Sequence, residues 1–296
     1  MTTMPITGGD FSCFLTQLQA EPAVLVRVTA SQGSVPREVG AWMAVFAHSI
    51  VGTIGGGRLE WDAMQTARQW LVPPGFVAGA GSGTDAPTGE RPYTQRVPLG
   101  PSLGQCCGGV VYLSYERVTA HDVPALQQRW QAQRLVVALF GGGHVGRALV
   151  QALAPLPFQV RWFDSRDEVF PPGLPSQVQT DHSDPIQAAV MDVPAGSRVL
   201  IMSFSHAEDL EIVDACLRRR ATQHDLPFVG LIGSATKWAT FRRRLALRGW
   251  SPEALEGITC PIGLPGIRGK QPEVIAASVA AQLLMLDGSA GPCEGG

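Results

Sequence analysis

The chain has 296 residues, of which 45% are hydrophobic and 16% charged, with a formal net charge of -2 at pH 7. This length suits two domains with separate cores, and the composition is that of an ordinary soluble globular protein. The slightly acidic balance argues against a nucleic-acid-binding protein, which usually carries a basic surface. No stretch is long enough to span a bilayer and residues 1–10 lack signal-peptide features, so we expect a cytoplasmic protein without a membrane partner.

Residues 1–116 predict a small N-terminal α+β domain. Apolar spacing predicts one helix, one strand and one hairpin, at residues 11–18, 24–28 and 42–53. Residues 72–104 are rich in Pro, Gly, Ser and Thr, and this composition favours loops. The polar, Gln-rich stretch 117–134 is predicted to connect this domain to a second one.

A first glycine turn, Gly55-Gly56-Gly57, follows the predicted hairpin and precedes Arg58. Apolar residues at helical spacing begin directly after the turn, which indicates that it opens a helix. The N-terminus of a helix presents unpaired amide N–H groups and a partial positive charge, and both favour a bound anion. The same glycines are equally typical of a tight strand-to-helix corner that binds nothing.

Two adjacent cysteines, Cys106 and Cys107, precede Gly108-Gly109 and a predicted strand at residues 110–115. Their Cα atoms lie only about 3.8 Å apart, below the usual span of a disulfide, so we expect free thiols. A glycine-flanked loop can bring thiols close to backbone donors, where a thiolate is stabilised. The alternative is that both cysteines are small buried hydrophobic residues.

The pattern around which the chain is organised begins with the apolar run Leu135–Phe140, which predicts a strand. The run leads into Gly141-Gly-Gly143-His144-Val-Gly146 and then into a helix, the order of the dinucleotide-binding fingerprint. In this fingerprint Gly141 allows the tight turn, Gly143 lets the backbone approach a pyrophosphate, and Gly146 lets the helix pack closely. The alternative is a domain that keeps these glycines for packing alone.

The next predicted strand, residues 158–163, ends in Asp164, where a carboxylate is expected to accept a hydrogen bond from a ribose 2′-OH. Residues 135–296 are therefore predicted to form a Rossmann-like, doubly wound domain with a mainly parallel sheet. Ligands of such sheets lie beyond the carboxyl ends of the strands. The candidate ligand contacts there are His206, Ser234, Lys237 and Lys270. His206 is equally well explained as a helix-entry residue.

Five motifs occur in one order over nearly the whole chain. They are Ile54-Gly-Gly-Gly57 with Leu59-Glu60, Gln105-Cys-Cys-Gly-Gly109, Phe140 to Gly146, Phe228-Val-Gly-Leu-Ile-Gly-Ser234, and Cys260-Pro-Ile-Gly-Leu-Pro-Gly-Ile-Arg-Gly-Lys-Gln-Pro272. Together they resemble the xanthine dehydrogenase accessory proteins, the XdhC family. The resemblance implies an N-terminal domain that carries the cysteine loop and a C-terminal Rossmann-like domain.

The resemblance also implies a cofactor-binding function. Members of the family bind the molybdenum cofactor, molybdopterin with its metal, and protect it while a cysteine desulfurase-type sulfurase installs the terminal sulfido ligand. They then deliver it to the molybdenum subunit of xanthine dehydrogenase. We expect Cys107 to contact molybdenum and the protein to be a homodimer without turnover of its own. Arg58 departs from the family, which often has Cys or His there, and an arginine instead suits the pterin phosphate.

A second class of function, an NAD(P)-dependent oxidoreductase, fits the same fingerprint. NAD(P) would bind at residues 141–146, with Asp164 on its ribose. His206 with Lys237 or Lys270 would have to supply the acid and the base, because no clearer pair is visible. A third class, a redox or nucleotide-sensing regulator, has no motif of its own. Sequence alone does not separate a pterin from NAD(P) as the ligand of the fingerprint.

Overall fold

A computed structural model describes residues 9–71, 93–100, 108–131 and 134–288. The chain divides into two compact units, Met1–Trp130 and Gln131–Gly296. Cys106 and Cys107 lie outside the described residues, so what the sequence indicates for them stays a prediction. Within the described ranges, no helix combines the length and the apolar character needed to cross a membrane.

The first unit contains an antiparallel sheet of five strands in the order β3-β2-β1-β5-β4. Its elements are α1 (Gly9–Leu18), β1 (Ala23–Gln32), β2 (Trp42–Val45), β3 (Ile50–Gly52), α2 (Gly57–Leu71), β4 (Tyr93–Pro98), β5 (Val110–Val118) and α3 (Val123–Gln131). The predicted hairpin is confirmed, since Met43 of β2 pairs with Gly52 of β3. This unit is the small α+β domain that the sequence predicts.

The central strand β1 explains why helices cover both faces of this sheet. Successive side chains of a strand point to opposite faces, and the first half of β1 is apolar on both. One core contains Val24, Val26 and Val28 with Leu59, Ala63 and Ala67 of α2, and the other contains Ala23 and Leu25 with Phe14 and Leu18 of α1. The sheet therefore forms the middle layer between α2 and the pair α1 and α3.

The segment 117–134, predicted as a connector, mostly belongs to the first unit. It contains the end of β5, a 3₁₀ turn at Ala120–Asp122 and all of α3. Val123 and Leu126 are buried in the same core as α1, and Trp130 stacks on Phe11 with ring centroids 4.1 Å apart. The glutamines of this helix are its polar side, whereas apolar residues spaced three and four apart form the packed side.

The second unit is built on a sheet of six strands. Its elements are β6 (Leu135–Phe140), α4 (His144–Leu153), β7 (Phe158–Asp164), β8 (Val178–His182), a 3₁₀ helix (Ile186–Asp192), β9 (Arg198–Ile201), α5 (His206–Gln223), β10 (Phe228–Leu231), α6 (Ala235–Leu247), α7 (Pro252–Glu256), β11 (Ile258–Thr259) and α8 (Pro272–Gly288). Neighbouring strands are parallel throughout, in the order β11-β10-β9-β6-β7-β8.

This strand order is that of the Rossmann fold, so the predicted fold class is confirmed. Helices α4 and α8 pack together on one face of the sheet, while α5 and the 3₁₀ helix cover the other. The order of the strands reverses between β6 and β9. Loops after these two strands therefore flank a crevice at the carboxyl edge, where ligands of open α/β sheets bind.

Candidate functional site

The glycine loop after β6 has no room for side chains at two of its positions. A Cβ atom at Gly141, whose φ is +122°, would lie 2.0 Å from the carbonyl oxygen of Met202. A Cβ atom at Gly146 would lie 2.1 Å from the carbonyl oxygen of Gly141. At Gly143, in contrast, a Cβ atom would meet nothing within 4 Å. The loop is thus packed tightly from behind and open at Gly143.

The N-terminus of α4 offers free hydrogen-bond donors at this opening. Gly143 is the N-cap residue and carries no side chain to cap the helix. Among the described residues, the amides of residues 143–145 donate to no acceptor, whereas the amide of Gly141 donates to Phe163. Free amides at the positive end of a helix dipole suit a phosphate or another anion.

Asp164 lies at the end of β7, as predicted, but its carboxylate is fully engaged within the protein. Gly142 donates its amide N–H to one oxygen at 2.5 Å, and the Arg166 guanidinium donates to both oxygens at 2.9 Å. Burial alone would raise the pKa of Asp164, but the hydrogen bonds from Arg166 and from the amides of Gly142 and Arg166 hold it below its usual value. The expected open acceptor for a ribose hydroxyl is instead a fixed part of the loop.

Lys237 is also held within the protein. Its side chain is 10% exposed, and its ammonium group donates to Asp209 Oδ2 at 2.6 Å and to the carbonyl of Ile232 at 2.8 Å. The other oxygen of Asp209 accepts from the amide and hydroxyl of Ser203 at 2.8 and 2.7 Å. This network ties the loops after β9 and β10 together, so Lys237 positions the carboxyl edge and does not extend freely into it.

The other predicted contacts at this edge are more exposed. His206 is the first residue of α5, and its ring packs edge-on against Phe241 at 6.4 Å. Ser234 caps α6 by accepting the amide N–H of Lys237 at 3.2 Å, and Lys270 is exposed in the loop before α8. Within the part of the chain that the structure describes, no hydrogen bond or ion pair links these three side chains to the glycine loop.

Cys260 is a neighbour of this edge that the sequence analysis did not select. It follows β11 directly and lies within electrostatic reach of Lys237 and Asp209. Burial raises the pKa of its thiol to about 11, while Lys237 acts in the opposite direction. The thiol is therefore protonated near neutral pH. Its position directly after a short apolar strand is the signal that could have identified it.

The first glycine turn, in the N-terminal unit, is closed by its own helix. Gly55, Gly56 and Gly57 all have positive φ, with Gly55 at +124°. The carboxylate of Glu60, in the first turn of α2, accepts the amide N–H groups of Ile54 at 3.0 Å and Gly56 at 3.1 Å. It also accepts the hydroxyl of Thr53. The predicted anion cradle thus already contains an anionic group of the protein.

Arg58 lies on the outer surface of this turn. Its Nε donates to both oxygens of Asp62, at 2.9 and 3.0 Å, and its guanidinium lies 5.3 Å from the centre of the Trp61 ring. The side chain is 61% exposed, and its two terminal nitrogens bond to nothing in the described residues. Arg58 can therefore still contact an anion from solvent, although the amides of Ile54 and Gly56 are engaged by Glu60.

Gly109, two residues after Cys107, packs against a loop that also contacts the first glycine turn. A Cβ atom at Gly109 would lie 2.4 Å from the carbonyl oxygen of Ser34. Pro36, two residues further along that loop, is in contact with Gly55, where a Cβ atom would lie 2.8 Å away. The loop 33–41 thus joins the end of the cysteine loop to the first glycine turn. Within the described ranges, no group of three or more His, Cys, Asp or Glu side chains could hold a metal ion.

Comparisons with known proteins agree with this architecture. Residues 137–283 match the family model of the XdhC Rossmann domain, and residues 17–73 match that of the XdhC and CoxI family. The chain is 28% identical over 276 residues to the uncharacterized protein YqeB of Escherichia coli (strain K12), covering 91% of this chain and 44% of that protein. It therefore spans less than half the length of this curated relative.

A solved structure has the same fold. A crystal structure described as that of a xanthine dehydrogenase from Bacillus halodurans superposes with a TM-score of 0.69, over 97% of this chain and 98% of the other, at 19% sequence identity. The two family models match segments of both structural units, one on each. The chain therefore belongs to the XdhC family, whose domains are an XdhC and CoxI domain and an XdhC Rossmann domain.

Proposed function

We propose that this protein is an accessory protein that binds the molybdenum cofactor, holds it during sulfuration and delivers it to xanthine dehydrogenase. The observation that carries the proposal is membership of the XdhC family in both structural units. In this role the protein binds and transfers a cofactor and has no turnover of its own.

The open end of α4 supports the binding of an anionic cofactor. The amides of residues 143–145 are free donors, and Gly143 leaves space for a ligand to approach the backbone. The pterin part of the cofactor carries a phosphate, an anion that suits such donors. His144 and Gly146 belong to the same turn, so we assign the whole loop 141–146 to this contact.

The cysteine loop is the second element of the proposal. Thiolates are soft ligands that can meet molybdenum or accept sulfur, and we assign the molybdenum contact to Cys107. The end of this loop contacts the loop 33–41, which also contacts the first glycine turn. Arg58, whose two terminal nitrogens have no acceptor in the described residues, is a cation that this unit offers to an anion. When bound, the cofactor supplies the molybdenum centre, for which the thiols of this loop are the proposed ligands.

The delivery step requires protein partners. We propose the molybdenum subunit of xanthine dehydrogenase as the acceptor, a cysteine desulfurase-type sulfurase as the sulfur donor, and a homodimer as the active form. The family relationship supports an association with xanthine dehydrogenase. Pull-down of each partner with the cofactor-loaded protein, and its mass in solution, test these three assignments separately.

The cofactor assignment is tested by metal and pterin stoichiometry. We expect protein purified from molybdate-fed cells to contain molybdenum and pterin in equal amounts. Cys107→Ala should lose most of the molybdenum, and Cys106→Ala should lose less, without loss of folded protein. Cys13→Ala is the matched control, because Cys13 is an exposed free cysteine of the same unit. Unchanged molybdenum in both loop variants would remove the thiol assignment.

The oxidoreductase alternative has less support from the site. Lys237 is held by Asp209 and Ile232, and Asp164 has no free acceptor for a ribose hydroxyl. A proton donor or acceptor must reach the reacting atoms of a substrate, and Lys237 is committed elsewhere. These contacts argue against catalytic turnover of a nucleotide at this edge, and they do not argue against its binding.

A further inference from the structure

In this chain a cation, Arg166, occupies the edge at which many Rossmann domains recognise a ribose, because Arg166 pairs with Asp164. Oδ1 of Asp164 accepts the amide and Nε of Arg166, both at 2.9 Å, and Oδ2 accepts the amide of Gly142 and Nη2 of Arg166. The carboxylate is 1% exposed and has a donor at every favourable position. A ribose diol placed at this edge would therefore find no acceptor on Asp164.

Arg166 is the group that this edge presents in its place. Its side chain is 35% exposed, and its Nη1 bonds to nothing in the described ranges. The guanidinium lies 4.6 Å from the ring centre of Phe204, which follows β9 at the point where the strand order reverses. Phe204 remains 66% exposed despite this contact. The guanidinium therefore lies over one face of an apolar ring at the crevice, and most of the ring is still accessible to a ligand.

The pair is assembled before any ligand arrives. Glu208 accepts the hydroxyl of Ser165 at 2.6 Å and the amide of Phe204 at 3.1 Å. This carboxylate joins the loop after β7 to the loop after β9. Each of its oxygens has its own donor, so its charge is partly compensated beside Arg166. A preassembled contact loses little entropy when a ligand binds.

We propose that Arg166 and Phe204 determine the specificity of the Rossmann crevice and select a planar heterocycle that carries a phosphomonoester close to its ring system. The ring packs against Phe204 and the phosphate meets Arg166. In a dinucleotide the diphosphate also reaches the amides of α4, whereas the single phosphate of a pterin is shared between Arg166 and those amides. Two sources have this chemistry: a nucleoside 2′-phosphate, as in NADP, and a phosphate-bearing pterin. The inference goes beyond the proposed function, because it holds whether or not the cysteine loop contacts molybdenum.

The nucleotide source is tested by titrating the purified full chain with NADP⁺ and NAD⁺ in a calorimeter. We expect NADP⁺ to bind about 10-fold or more tightly than NAD⁺, since a charge-assisted contact to a phosphate is lost in NAD⁺. Arg166→Gln should reduce this ratio to about one. Arg243→Gln removes the same charge from the exposed surface of α6 and should leave the ratio unchanged.

Arg166→Gln also leaves Asp164 without its cation, so a second variant guards against a folding defect. Phe204→Ala changes an exposed side chain and should fold normally, yet it should weaken NADP⁺ and NAD⁺ alike by about fivefold because both lose the ring contact. Phe204→Tyr should restore the affinity. If NAD⁺ binds as tightly as NADP⁺ to the unaltered protein, the nucleotide source is eliminated.

The pterin source is tested by pterin fluorescence released from protein purified from molybdate-fed cells. If this source is right, NADP⁺ does not bind, and both Arg166→Gln and Phe204→Ala lower the pterin content several-fold while Arg243→Gln does not. Absence of both NADP⁺ selectivity and a change in pterin content overturns the inference. The proposed function still stands after that outcome if unaltered protein carries molybdenum. NADP⁺ selectivity in a protein without bound molybdenum would instead support this inference and contradict the proposed function.

Discussion

The two glycine turns of this protein look alike in sequence and differ in what their amides do. Each places three consecutive glycines at the start of a helix, at residues 55–57 and 141–143. The fourth residue of α2 is Glu60, and the fourth residue of α4 is Arg147. Glu60 folds back onto the amides of its own turn, whereas Arg147 turns away and donates to the carbonyl of Val169 at 2.9 Å.

This difference decides how far each turn is satisfied by its own helix, although the amides of residues 57–59, like those of residues 143–145, donate to no acceptor in the described residues. A carboxylate in the first turn of a helix satisfies free amides and complements the helix dipole. Glu60 therefore fixes the corner between β3 and α2 by accepting the amides of Ile54 and Gly56. An anion that approached the first turn would meet this carboxylate, whereas the first turn of α4 contains no acidic residue.

The largest loss of stability is expected at Gly141, where the second turn packs against the backbone of Met202. Gly141→Ala places a Cβ atom 2.0 Å from the carbonyl of Met202 and requires a φ of +122°. We expect the free energy of unfolding of this unit to fall by roughly 3 kcal/mol or more. Equilibrium urea unfolding measures this loss.

Gly143→Ala is the matched control for that substitution. Its Cβ atom faces open space at an N-cap position with extended backbone, so the loss of stability should stay within about 1 kcal/mol. The methyl group should instead hinder the approach of a ligand to the amides. Equal stability of the two variants would contradict the division into a packed side and an open side.

Glu60→Ala is expected to have an intermediate effect. It removes the acceptor for the amides of Ile54 and Gly56 in a half-buried turn, and leaving these donors without a partner costs about 1–2 kcal/mol. The midpoint of urea unfolding should fall accordingly. Glu60→Gln keeps one acceptor oxygen and should lose less. A Glu60→Ala protein of unaltered stability would show that the carboxylate does not hold this turn.

Most of the fold follows from local sequence patterns. The apolar strand, the glycine loop and Asp164 predict the start of a Rossmann domain because each depends on residues close in the chain. The sequence does not predict the helix α3, because only a few packing residues, such as Val123 and Leu126, mark its apolar side in a Gln-rich segment. Helical spacing was the available signal.

The contacts that define the site were harder to predict. Asp164 was correctly placed at the end of a strand, but its engagement by Arg166 depends on how the chain bends just after that strand. The pairing of Lys237 with Asp209 joins residues 28 positions apart on two helices. Periodicity predicts which face of a helix carries such a side chain. It does not predict the partner, since the chain has 25 acidic residues with which a lysine can pair.

Arg147→Glu gives the smallest expected effect and addresses the comparison most directly. It places a carboxylate at the same helical position in α4 that Glu60 has in α2, where it can reach the free amides of residues 143–145. A first-turn carboxylate stabilises a helix by about 0.3–1 kcal/mol, so stability should rise slightly. The same carboxylate competes with an anionic ligand and should weaken binding of NADP⁺, or lower the bound pterin, by up to about fivefold. Arg147→Gln, which loses the cation without adding an anion, should change binding much less, and equal losses in the two variants would show that Arg147 acts by its charge and not by leaving the amides free.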